Sequence, residues 1–150
     1  MSIVDDLIAN AGLYLGIDHV NGDERGGDRE GAARIQITAL PGNSGVALDY
    51  EIFNASMPER VRGHVEHTVI GRTADGGAVM VVAAPHAKAV HVMRETDPGV
   101  FEVVGDEPSP YPAKVVISVP APGELRHAWW YGAPGDEPVE RDVTEASLQR

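Results

Sequence analysis

The stretch from Gly63 to Gly71 reads GHVEHTVIG and places two histidines and a glutamate within four residues. Its local period decides what they can do. On a helix His64 and His67 would lie one turn apart on one face, a spacing suited to a zinc site. On a strand the side chains alternate, so Arg62, His64, Glu66, Thr68 and Ile70 share one face while Val65, His67 and Val69 share the other. The β-branched residues Val61, Val65, Thr68, Val69 and Ile70 favour the strand. The triplet therefore divides into a His64/Glu66 pair and a solitary His67, which argues against a metal site built from this stretch.

The same period governs most of the chain. Runs rich in Val, Ile and Tyr predict strands over 13–20, 32–40, 45–55, 62–72, 78–84, 89–96, 100–105, 113–120, 124–131 and 139–148. They are separated by turn-forming sequences such as PGNSG, ASMPE, ADGG, TDPG, EPSPYP, PAPGE and APGDEP. TADGGAV, residues 73–79, predicts a tight hairpin, because Asp-Gly and Gly-Gly supply positive φ angles. One short helix precedes the strands: Ser2 caps it, Asp5 and Asp6 favour its positive end, Ile3, Leu7 and Ile8 form its apolar stripe, and Gly12 stops it. About ten strands in short-loop succession predict a single antiparallel up-and-down β-barrel, since closure removes the exposed edges of an open sheet. A two-sheet sandwich is the competing arrangement.

Bulk composition narrows the function. At 150 residues, 43% of them hydrophobic, the chain suits one domain spanning 1–150 with a true core. The net charge of −11 argues against nucleic acid and against an anionic membrane surface, both of which need clustered Lys and Arg. No apolar run reaches transmembrane length, the N-terminus lacks a basic leader, and cysteine is absent, so a cytoplasmic location is expected.

Alternation also selects candidate ligand-binding residues. ARIQITAL sets Arg34, Gln36 and Thr38 against Ile35, Ile37 and Ala39. VALDYEIFN sets Val46, Leu48, Tyr50 and Ile52 against Ala47, Asp49, Glu51 and Phe53, and ELRHAWWYG sets Leu125, His127, Trp129 and Tyr131 against Arg126, Ala128 and Trp130. Both faces mix polar and apolar groups, as expected of a barrel with a partly polar, ligand-holding interior. Arg34, Tyr50, His64, Glu66, His127 and Trp129 are the candidate lining. The competing assignment puts Arg34, Gln36, His64 and Glu66 on the solvent face, where long polar side chains usually lie.

The chain resembles the calycin superfamily, the lipocalin and fatty-acid-binding type of barrel, and within it the ten-stranded bacterial fatty-acid-binding-like and nitrobindin-like proteins. Its opening GLYLG, Gly12 to Gly16, is similar to their G-x-W-x-G start, with Tyr14 where tryptophan is usual. The resemblance implies a cavity for a small, largely apolar ligand, fatty-acid-like or similar. VERDVTE offers Arg141-Asp142-Val143 where the fatty-acid-binding proteins carry Arg-x-Tyr, and IDHVNGD departs from the nitrobindin pattern. Neither carboxylate capture nor haem ligation therefore transfers residue by residue.

Three functions follow. The first is binding of a small hydrophobic or amphipathic molecule without catalysis or cofactor. The second is a barrel enzyme (isomerase, cyclase or hydrolase) using His64 and Glu66 as an acid–base pair. The third is a haem-binding barrel with a histidine axial ligand, for which APHAKAVH supplies His86 and His91. No nucleophile elbow, phosphate loop or HExxH is present. In HAWWYG, Trp129 and Trp130 face opposite ways; the outer one would pack on the helix or on a second subunit, leaving a homodimer open.

Overall fold

A computed structural model describes residues 2–21, 29–54, 62–84, 89–104, 113–132 and 135–150. Helix α1 (Ile3–Ala9) leads into β1 (Gly12–Val20), β2 (Arg29–Ala39), a single 3-10 turn at Pro41–Asn43, β3 (Gly45–Asn54), β4 (Arg62–Arg72), β5 (Ala78–Ala84), β6 (Ala89–Asp97), β7 (Val100–Val103), β8 (Ala113–Ser118), β9 (Glu124–Tyr131) and β10 (Val139–Leu148). Each strand pairs antiparallel with its successor, and β10 returns to β1, closing a ten-stranded up-and-down barrel. The sandwich is thereby excluded. The expected turns at ASMPE and EPSPYP, and His86, lie outside the described residues.

The seam between β1 and β10 depends on one small residue. A Cβ at Gly16 would lie 2.0 Å from the Glu145 carbonyl oxygen and 2.5 Å from Ala146 Cα. Only a residue without a side chain lets the strands approach to hydrogen-bonding distance there. The TADGGAV hairpin forms as expected, with Gly76 at φ +86° and Thr73 N–H donating to the Gly77 carbonyl at 2.9 Å.

Helix α1 plugs one end of the barrel. Ser2 caps it by accepting from Val4 N–H, and Ile3, Val4 and Leu7 are buried against the strands. Glu95 of β6 pins its first turn, accepting from Ser2 Oγ at 3.0 Å, Ile3 N–H at 3.3 Å and, from the β6–β7 turn, Gly99 N–H at 2.9 Å. Arg72, at the end of β4, pairs with Asp5 of the helix at 2.7 Å. Tyr14 lies in the core and donates its hydroxyl to the Asn10 carbonyl at 2.6 Å, joining the opening GLYLG motif to the helix end. Below the plug Ile37, Ile70, Met80, Met93, Phe101, Ile117 and Leu125 are closed to water, so side chains rather than solvent fill this half. Among the described residues no helix is long and apolar enough to cross a membrane.

Candidate functional site

At the other end, where β1, β3, β5, β7 and β9 finish, the interior turns polar. Strand register sets the residues side by side: Tyr50 faces Glu66 across β3–β4, Ile52 faces His64, Thr144 faces Asp18 across the seam, and His127 faces Thr144. Asp18, Tyr50, Glu66, Thr68, His127 and Thr144 are all buried. A polar layer therefore lies on the aliphatic plug, and His64, His91 and Trp129 stand above it, pointing inward yet partly open to solvent.

Two hydrogen-bonded groups make up the layer. In the first, Asp18 Oδ1 accepts from Thr144 Oγ1 at 2.8 Å and from the Tyr50 hydroxyl at 3.0 Å, and the two hydroxyls also touch. Burial, with the charges of Asp142 and Asp18 nearby, pushes the Tyr50 phenol well above its ordinary value, so it remains a neutral donor. In the second, Glu66 is only 1% exposed and receives His64 Nε2 at 2.7 Å and Trp129 Nε1 at 2.9 Å. Burial alone would raise the Glu66 carboxyl, but the hydrogen bond and charge of His64, with the Trp129 hydrogen bond, outweigh it and hold the group below its usual range. Burial alone would lower His64, yet the Glu66 hydrogen bond and charge, with Asp18 behind, raise it. His127 shows the opposite outcome: burial dominates and lowers it, so the ring stays neutral. It stacks on Tyr50 at 5.2 Å between centroids, while Tyr50 meets His64 edge-on at 6.0 Å.

Five of the six candidate lining residues thus converge: Tyr50, His64, Glu66, His127 and Trp129. Arg34 does not. On β2 the buried positions are Ala33, Ile35 and Ile37, which turns Arg34 outward between Leu15 and Glu51, where solvation of the guanidinium costs nothing. His67 also lies outside, paired with Asp49 at 2.8 Å in solvent. Trp130 faces outward with the Lys114 ammonium 4.4 Å from its ring centroid.

Asp18 and Thr144 also belong to the polar layer, and no motif in the sequence marks them. In GLYLGIDHV the apolar Leu15 and Ile17 are each 45% exposed, while Tyr14 and Asp18 point inward. This strand inverts the usual rule of apolar in and polar out, so hydrophobicity alone gives the wrong face. The usable signal is the i, i+4 alternation from Tyr14, with the glycine at position 16 between them. For an axial metal ligand, two described histidines face the open end: His91, half-buried against Trp129 with ring centroids 6.0 Å apart, and His64, whose Nδ1 stays available while Glu66 holds Nε2; His127 is enclosed. Among the described residues no group of three or more His, Asp or Glu has the arrangement to hold a metal ion.

Fold and polar interior together define a lipocalin-like ten-stranded barrel. Among solved structures it is similar to Rv2717c from M. tuberculosis, with a TM-score of 0.66 at 13% identity over 100% of this chain and 99% of that one. It is also similar to the S-type phycobiliprotein lyase CPES from Guillardia theta, with a TM-score of 0.63 at 11% identity over 100% of this chain and 94% of that one. At such identities the likeness establishes the fold. No protein-family model and no curated protein matches the sequence.

Proposed function

We propose that the barrel binds a small amphipathic molecule at its polar end, in the manner of the calycin-type carriers that its GLYLG opening resembles. The observation that carries this reading is the change in accessibility along the interior. The helix end is filled, whereas His64, with 32% of its side chain exposed, and the half-buried His91 and Trp129 face inward and still meet solvent. Ring surface from Trp129, His91 and His64, seated on the buried Tyr50–His127 stack, would supply most of the affinity, and the Glu66 group would fix orientation. The packed plug favours a compact guest, or one whose tail stays near the rim, over an acyl chain running the length of the barrel. The likeness in fold to a phycobiliprotein lyase agrees with a barrel of this shape handling a small molecule.

Native mass spectrometry of protein purified from its own source tests the reading. Recovery of a defined small-molecule adduct, lost in a Trp129→Ala variant, is expected. Repeated recovery of bare protein that takes up no amphipathic probe would contradict it.

A further inference from the structure

The Glu66 group contains more than a binding wall requires. Its carboxylate is buried, and the two donors aimed at it among the described residues are ring N–H groups, His64 Nε2 and Trp129 Nε1. Trp129 holds the carboxylate, and the carboxylate fixes the His64 ring. In the neutral imidazole the proton then sits on Nε2, so the lone pair lies on Nδ1 of a ring that solvent reaches from the open end. His127, which stacks on Tyr50, is closed to solvent.

We propose that His64 is a general base that removes a proton from carbon in a compact, flat aromatic guest, with Glu66 and Trp129 as positioning residues. The proposal rests on the reading that a guest enters the polar end. Its substrate class follows from what surrounds His64. The chain has no cysteine, and the aliphatic hydroxyls facing inward among the described residues, Thr68 and Thr144, are buried, so the group that a guest can reach is the imidazole base. A base beside aromatic rings is less solvated than one in water and so better suited to taking a proton from carbon, and the stacked Tyr50–His127 pair and the Trp129 ring supply that setting. The guest is therefore a carbon acid: an aromatic heterocycle or conjugated carbonyl compound whose C–H bond a neighbouring heteroatom acidifies.

5-Nitrobenzisoxazole isolates this step. His64 Nδ1 takes the proton from C3, the C–H electron pair becomes the third bond of a nitrile, and the N–O bond breaks with its electrons leaving on the phenolate oxygen. The imidazolium then returns its proton to solvent, and the nitrophenolate absorbs visible light. Saturable turnover is expected, falling at least about 100-fold in both His64→Ala and His64→Gln. Among the described residues, the groups facing His64 are Glu66 on its own strand, Asp18 from β1, Tyr50 from β3 and His127 from β9. Because Glu66 and Asp18 favour the imidazolium, the rate should rise with pH through an inflection above the ordinary histidine value. Glu66→Gln should lower that inflection by removing the charge. Trp129→Phe should raise it, because Glu66 then gives its full charge to His64; a residue with only a packing role would move neither. Saturable probe binding, seen as tryptophan quenching, without turnover above the His64→Ala background would overturn the catalytic proposal and leave the binding reading standing. Turnover that survives both His64 substitutions would also overturn it. Absence of probe binding would overturn both for guests of this kind.

Discussion

Glu66 is the residue on which the site turns, and two opposite pH dependences follow from it. Its folded carboxyl is depressed, so it adds stability above its unfolded value of about 4.3, lost as pH falls through the folded value. His64 is raised, so its contribution is complete below its unfolded value of about 6.5 and is lost as pH rises through the folded value. Both are therefore complete only between about pH 4.3 and 6.5. A plot of thermal midpoint against pH should show a shoulder there, and Glu66→Gln should flatten its alkaline side. An unchanged profile would mean that the pair does not form. The same substitution keeps an acceptor for Trp129 but loses the charge, and should cost roughly 1–3 kcal/mol in urea unfolding. Thr144→Val, which removes one of the two hydroxyls described at Asp18, should cost about as much by the same reasoning.

Among the elements, α1 and the β1–β10 seam carry the most exposed commitments. Leu7→Ala opens a void under the plug and should cost about 2–5 kcal/mol by chemical denaturation. Gly16→Ala drives a methyl group into the Glu145 carbonyl and should part the seam, seen as loss of amide protection along β1 and β10 ahead of β3 and β4. Protection falling uniformly would show that the seam has no such local weakness. At this scale the strands were legible: β4, β5, β9 and β10 have the bounds that the Val/Ile/Tyr runs and turn residues predict. β2 begins earlier than expected because barrel pairing with Val20 and Asn54 recruits Arg29–Gly31, a segment with little strand preference of its own. Alternation separated the faces but did not say which was inner. It therefore brought His64, Glu66 and Tyr50 together correctly, while Arg34 was grouped with residues on the opposite side of the sheet. Asp18 went unseen because Leu15 and Ile17 take the apolar role on the outside.

For the molecule as a whole, the interior is divided between a packed aliphatic half under the helix and a polar, aromatic half at the far end. That division makes the two tryptophans internal reporters, since the chain has only Trp129 and Trp130. Trp129 donates to Glu66 within the barrel, while the Trp130 ring faces outward and its indole N–H finds no hydrogen-bond partner among the described residues. The most direct test is a proton–nitrogen correlation spectrum of the two indole groups, assigned with Trp130→Phe, during titration with 1-anilinonaphthalene-8-sulfonate. The account predicts a saturable shift of the Trp129 resonance and a stationary Trp130 resonance. A stationary Trp129 signal, or a response at Trp130 alone, would contradict it.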